Sequence, residues 1–205
     1  VPLMLCAFRI IAFNIFLCAK CTPSKTPRKI LNAIILKAHS IKGTSIVLTF
    51  WPHPANKETI YSLEHRLKII EEIGIDLCVV IRFNRPFSRI SAERFVKEIL
   101  VDKIKAKYVY IGKNFRFGKN AQGNSMVLKK LAEEHGFKVK VFHEIIRNGR
   151  IVSSTYIRHL IRSGELSLAR RLLCRPVSIF GTVIRGLSFS GTLGFPTANI
   201  DPHHE

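Results

Sequence analysis

The chain has 205 residues, 47% of them hydrophobic, enough apolar material for one packed domain of ordinary size with a smaller piece beside it. Lys and Arg number 33 against 14 Asp and Glu, a formal net charge of +19, so the chain should attract anions, whether nucleic acid or a nucleotide substrate. Five cysteines, odd in number and irregular in spacing, argue against a secreted disulfide framework and for a reducing, cytoplasmic setting.

The first 17 residues, VPLMLCAFRIIAFNIFL, are apolar apart from Arg9 and Asn14. They are too short and interrupted for a membrane span of about 20 apolar residues. They also lack the positive n-region and clean cleavage site of a signal peptide. A first buried strand with a flanking turn is the other reading. The pair Cys18 and Cys21 has zinc-like spacing, but no second pair follows to complete about four ligands, so both are read as incidental.

From Arg28 the text becomes regular. RKILNAIILKAHSI has helical spacing, and TSIVLTF is a short β-forming run. SLEHRLKIIEEIG reads as a helix capped by Ser62 and stopped by Gly74, and IDLCVVIRF as a buried strand. Ser91 opens another helix, SAERFVKEILVDKI, with Glu read at the third position after the serine, a capping box. AKYVYIG is a strand, NSMVLKKLAEEHG a helix, and FKVKVFHEI an alternating strand. Strands alternating with helices predict an α/β fold whose parallel sheet is covered on both faces.

Such sheets bind ligands beyond the carboxyl ends of their strands. That rule selects three loops, FWPHPANKE, GKNFRFGKNAQG and NGRIVSSTYIR, distant in sequence and expected to be neighbours in space. In the last, Ser153, Ser154 and Thr155 precede a helical segment carrying Arg158, and the serines serve equally as a plain N-cap or as a grip on a phosphate. In the second, Phe115 and Phe117 flank Arg116, with Asn114 beside them; two aromatics there can pin a planar ring or simply fill core. His53 lies between two prolines in the first. After a helix, ELSLARRLLC, the string VSIFGTVIRG alternates as a strand, and GTLGFPTANI carries Thr197 and Asn199, side chains suited to phosphate or hydrated magnesium or to a tight turn.

Taken together, VLTFWPHP, the segment from LCVVIRF to GKNAQG, VSSTYIRHLIRSGELSLARRLLCRP and GTLGFPTANI resemble, in order and spacing, the bacterial bifunctional riboflavin kinase/FMN adenylyltransferase (FAD synthetase) family, from about Arg28 to Ile200. The resemblance implies a Rossmann-like nucleotidyltransferase over residues 1–174 that transfers AMP from ATP to FMN, giving FAD and pyrophosphate with Mg2+. The start of a small riboflavin kinase-like β-barrel over 175–205 follows. It implies that Ser153, Ser154, Thr155 and Arg158 meet the triphosphate, with Ser154, Thr155 and Arg158 serving catalysis. It implies that Phe50, His53, Gly112, Asn114, Phe115 and Gly118 lie on the flavin side, and that Thr197 and Asn199 belong to the kinase's ATP–magnesium motif. No protein-made metal site is assigned. The implied partners are small molecules, not a membrane.

The sequence departs from the family at one loop. Where the family has a form G-x-F-D-G-x-H-x-G-H, this chain has LCAKCTPSKTP, so residues 1–27 are atypical and Ser24 and Pro27 stand in place of the two histidines. Lys20 and Lys25 supply charge there without that arrangement. Trp51 replaces a usual Asp and Cys174 a usual Gly, and the kinase module stops before its catalytic acid. The expectation is an impaired adenylyltransferase without kinase activity. The alternatives are a nucleotide- or flavin-binding remnant and, less favoured because aromatics are not interleaved along a basic stripe, a nucleic-acid-binding protein.

Overall fold

The computed structural model describes residues 9–13, 27–54, 59–147, 149–185 and 197–202. Five parallel strands form its sheet in the order β3-β2-β1-β4-β5. They are β1 (Arg9–Phe13), β2 (Thr44–Trp51), β3 (Leu77–Arg82), β4 (Ala106–Gly112) and β5 (Lys138–Phe142). The apolar opening of the chain thus supplies the central strand. Arg9–Phe13 pairs in parallel with Thr44–Leu48 on one side and with β4 on the other. The order reverses between β1 and β4, the kind of point at which open α/β sheets leave a ligand crevice.

Alternation along β2 and β4 feeds two cores. Val47 and Tyr110 point into one, which they share with Leu31 and Ile34 of α1 (Pro27–Ser40), Ile69 and Ile70 of α2 (Leu63–Ile73), Ile157 of α6 (Ser154–Arg162) and Leu173 of α7 (Leu166–Leu173). Ile46, Leu48, Val109 and Ile111 point into the other, against Phe95 of α4 (Ala92–Phe95), Val96 and Leu100 of its π-helical continuation Val96–Lys103, and Leu128 of α5 (Ser125–His135). Each such fully buried aliphatic side chain is worth about 1.5–3 kcal/mol relative to exposure. Burial on both faces is why β2 reads as a continuous apolar run.

The helix signals act as expected at α2. The Ser62 side chain accepts from the His65 N–H, and Gly74 closes the helix with φ 87°. At α4 the pattern differs in detail. Ser91 accepts from the Arg94 N–H, and Glu93 stands second after the cap, not at the third position that a capping box needs. A short helix, α3 (Arg85–Ser88), precedes it. β3 is not the buried strand expected. It lies at the sheet edge, where Leu77 and Val80 stay 44% and 38% exposed.

Two ribbons complete the described residues. β6 (Ile146–Arg147) and β7 (Arg150–Ile151) form one, β8 (Thr182–Ile184) and β9 (Asn199–Asp201) the other, both antiparallel. Beyond residue 174 the described residues form only the β8–β9 ribbon, not a barrel. Residues 175–180 lie against α2: Arg175 reaches Glu72 at 3.6 Å, and Phe180 packs on the His65 ring. Cys174 is disulfide-bonded and holds φ 55°, so the usual glycine of the resemblance matches a left-handed helix end. The pairing was not foreseen from the cysteine spacing. Among the described residues no helix is long and apolar enough to cross a membrane.

Candidate functional site

The carboxyl ends of β2, β4 and β5 surround a cleft of about 380 Å3. Phe50, His53 and Pro54 line it from β2 and its following loop. Gly112, Lys113, Asn114, Phe115 and Arg116 line it from the end of β4, and Phe142, His143 and Glu144 from the end of β5. Two of the three loops chosen from the sequence therefore meet, and they bring together Phe50, His53, Gly112, Asn114 and Phe115.

Backbone and side-chain bonds hold this mouth in shape. The Lys113 N–H donates to the Phe142 carbonyl at 2.9 Å, tying the ends of β4 and β5. The Asn114 amide donates to Glu144 Oε1, so a carboxylate that sequence reasoning missed positions it. Under the β2 end, Arg66 of α2 donates through Nη1 to Thr49 Oγ1 at 2.9 Å and to the Phe50 carbonyl at 3.2 Å. The strand's last turn toward the cleft is thus braced from below.

Behind the cleft Phe50 and Phe115, two of its three lining phenylalanines, are joined by a run of rings. Phe50 contacts Phe83 at 6.0 Å and Phe87 at 5.9 Å, and Phe87 contacts Phe95 at 6.2 Å. Phe95 meets Phe117 at 5.5 Å, and Phe117 stacks on Phe115 at 5.6 Å with 16° between planes. The two phenylalanines of the GKNFRFG loop differ in place. Phe117, 6% exposed, fills core, while Phe115 lines the cleft.

Two glycines make that possible. A Cβ at Gly118, where φ is 74°, would meet the Ala92 nitrogen at 2.7 Å; one at Gly123 would meet the Phe117 ring at 2.7 Å. Gly118 is thus fixed by packing on α4 and is not among the lining residues. Over Gly112 nothing lies within 4 Å of an added Cβ, so the cleft reaches the backbone there.

The serine loop lies just beyond. Val152 N–H donates to the Ile145 carbonyl at 2.8 Å, which closes the β6–β7 ribbon that leads from Glu144 to α6. Ser153 is the N-cap, accepting from the Tyr156 N–H at 3.2 Å. Arg158 reaches back one turn and donates to Thr155 Oγ1 at 3.3 Å. Arg150 lies over the Tyr156 ring at 5.6 Å. Ser153, Ser154, Thr155 and Arg158 form one cationic helix start that no acid in the first turn offsets, separate from the residues lining the cleft. Thr197 and Asn199 are exposed, at and before β9, and do not line the cleft. Pro27 begins α1, and Ser24 lies outside the described residues, as do Lys20, Lys25 and the glycines of GTLGFP.

Among the described residues no group of three His, Cys, Asp or Glu is placed to hold a metal ion. Lys113 and Arg116 set against Glu144 leave the lining of the cleft with a net positive charge. Sequence reasoning missed Arg66, Phe83, Phe87, His143 and Glu144. Phe83, His143 and Glu144 carried a readable signal, since they follow a strand's carboxyl end.

A parallel sheet with an aromatic, basic cleft beyond its strand ends is the layout of a nucleotide-binding α/β protein. A family profile described as FAD synthetase matches residues 28–156, and one described as riboflavin kinase matches residues 173–205. The chain is 38% identical over 164 residues to the bifunctional riboflavin kinase/FMN adenylyltransferase of Buchnera aphidicola (subsp. Schizaphis graminum), covering 76% of this chain and 53% of that one. To the protein of the same name in Escherichia coli (strain K12) it is 34% identical over 138 residues, 67% of this chain and 44% of that one. Among solved structures, one titled as a macrolide-efflux protein from Streptococcus pneumoniae superposes with a TM-score of 0.76 at 21% identity, over 96% of this chain and 65% of that one, a likeness of fold alone. The chain belongs to the FAD synthetase family, and it spans about half the length of the curated relatives it matches.

Proposed function

We propose that this chain is an FMN adenylyltransferase whose cleft takes the flavin and whose α6 start takes the phosphates of MgATP. The observation that carries the reading is the convergence of Phe50, His53, Gly112, Asn114 and Phe115 on one cleft of about 380 Å3. An isoalloxazine is planar and amphipathic. Phe50 and Phe115 supply apolar walls for it, the Gly112 backbone an open edge, and Asn114 a polar group fixed by Glu144. Gly118 contributes by shaping the loop.

In the transfer, an oxygen of the FMN phosphate attacks the α-phosphorus of ATP. A new P–O bond forms as the bond to the β-phosphate oxygen breaks, and pyrophosphate leaves with that electron pair. The nucleophile is already anionic, so the protein needs no covalent nucleophile. Its part is to align two anions and offset their charge. Ser154, Thr155 and Arg158 do this at the triphosphate, with Ser153, the N-cap, beside them. Mg2+ would enter bound to ATP and supply charge neutralisation at its phosphates.

We also propose that residues 1–174 act as the transferase unit and 175–205 as part of a riboflavin kinase-like unit, with Thr197 and Asn199 in its ATP–magnesium motif. The protein works in the cytoplasm on small-molecule substrates. Turnover is impaired, because Ser24 and Pro27 cannot donate to phosphate as paired imidazoles do.

The test is FAD formation from FMN and MgATP by the purified chain, beside a Ser24→His/Pro27→His variant. Slow turnover in the chain and a gain of a hundredfold or so in the variant, the range of positioned acid–base or electrostatic groups, is the expected result. Absence of both FMN and ATP binding in either protein would remove the enzyme reading.

A further inference from the structure

The amino end of the sheet carries a second hollow. Ile41 after α1, Lys107 and Tyr108 at the start of β4, and Gly136 and Lys138 at the start of β5 line a space of about 320 Å3. Tyr108 and Gly112 are four residues apart on one strand, so this hollow and the cleft are roughly 13 Å apart at ~3.3 Å per residue.

Two ammonium groups meet at its Tyr108 ring, one from the lining residue Lys138 and one from Lys37 of α1 outside the lining. The Lys37 ammonium lies 5.0 Å from the Tyr108 ring centroid, and that of Lys138, the cross-strand partner of Tyr108, lies 6.0 Å from it. The acids of this end do not neutralise them. Asp76 accepts from the Ser45 N–H at 2.7 Å and from its hydroxyl at 2.6 Å, and no ion pair joins Lys37 or Lys138 to Asp102, Glu133 or Glu134. Two ammonium groups beside one ring repel each other, and an anion bound beside them relieves that repulsion. Above Gly136, where φ is 71°, an added Cβ would meet nothing within 4 Å, so the backbone is open to a ligand.

The strand pairing also shows what the linear sequence hides. Lys138 pairs with Tyr108 across β4 and β5, a base and a ring 30 positions apart in the sequence; the next pair, Lys140 and Tyr110, does not line the hollow, and Tyr110 is buried. A site offering cations beside an aromatic and an aliphatic wall fits a phosphate joined to a planar base.

We propose that this hollow is a second nucleotide site, independent of the transferase cleft, with the phosphate held by Lys37 and Lys138 and the base on the wall made by Ile41 and Tyr108. The nucleotide is either free or part of a single strand. The test is an amide chemical-shift titration of the isotope-labelled chain at low salt, with AMP, with a short oligouridylate and with inorganic phosphate as separate probes. Saturating shifts at Lys107, Tyr108 and Lys138 with AMP, weakened about tenfold or more in Lys37→Gln/Lys138→Gln while the melting temperature holds, are expected. Tighter binding of oligouridylate at the same amides identifies a strand. Its slope of log affinity against log salt then falls by about 1.4 in the double variant, at ~0.7 per lysine. Equal binding of inorganic phosphate and AMP overturns the proposal, as does the absence of shifts at these amides with every probe.

Discussion

Gly123→Ala tests whether the loop that carries Phe115 owes its shape to packing on Phe117. The new Cβ would fall 2.7 Å from Cε1 and Cζ of Phe117 and 2.8 Å from Cδ1, well inside contact distance. Neither side yields easily. Reciprocal backbone bonds clamp the pair, Phe117 N–H to the Gly123 carbonyl at 3.1 Å and Gly123 N–H to the Phe117 carbonyl at 2.8 Å. The Phe117 ring is held between Phe95 and Phe115. Overpacking of this kind costs about 1–3 kcal/mol. For a chain of this size that lowers the melting temperature by about 2–12 °C. Phe115 also loses the ring behind it, and a loosened aromatic contact worth about 0.5–1.5 kcal/mol weakens FMN binding roughly twofold to tenfold. Thermal melts followed by circular dichroism and titration of FMN fluorescence measure the two effects. Gly112→Ala is the matched control: its Cβ meets nothing within 4 Å, so the melt stays put while FMN affinity falls. A Gly123→Ala protein that melts and binds as the parent does, or a Gly112→Ala protein that is destabilised, would refute the reasoning.

Ser153→Ala removes the acceptor of the Tyr156 N–H and costs about 1 kcal/mol of stability in urea denaturation. If the serine is a cap and nothing more, ATP affinity in the folded protein is unchanged, whereas a phosphate role lowers it. Arg66→Ala leaves the Thr49 hydroxyl, 4% exposed as a residue, and the Phe50 carbonyl without that donor. It should cost about 1–3 kcal/mol and raise the KM for FMN more than it lowers kcat, since Phe50 lines the cleft. Burial pushes the Cys78 thiol up to about 11 from 9.0, an effect that the nearby Arg66 charge partly opposes. A raised folded value means that stability is intact below pH 9 and declines as pH rises from 9 to 11. A Cys78→Ala chain should lose part of that decline in a pH series of melts, and alkylation of Cys78 at pH 8 should be slow in the folded protein.

What the sequence made legible was the periodic part. Helix stops such as Gly74 and caps such as Ser62 and Ser91 act locally, so their chemistry is visible in a few neighbouring residues. The position of β3 was not visible, because LCVVIR has the apolar character of a buried strand and only the sheet order makes it an edge. The cleft divides the same way. The rule about strand ends found Phe50, His53 and Asn114 from their loops, but Phe83 and Phe87 act through rings brought together by folding, and Glu144 acts on a residue 30 positions away. No periodicity in one dimension carries such a contact.

The first strand separates what a sheet demands from what a reaction demands. β1 fits between β2 and β4 through backbone pairing, which asks of RIIAF only extended, apolar, β-compatible residues. A family match that starts at residue 28 therefore coexists with a strand in the central place at residues 9–13. Phosphate chemistry asks for more. It needs particular donor side chains, and a backbone register cannot supply them. Retention of the fold thus says nothing about turnover, and the Ser24→His/Pro27→His comparison is informative for that reason. If restoring two imidazoles restores FAD formation, the sheet, the cleft and the α6 start were already sound, and the fault lay in side chains that the fold itself never required.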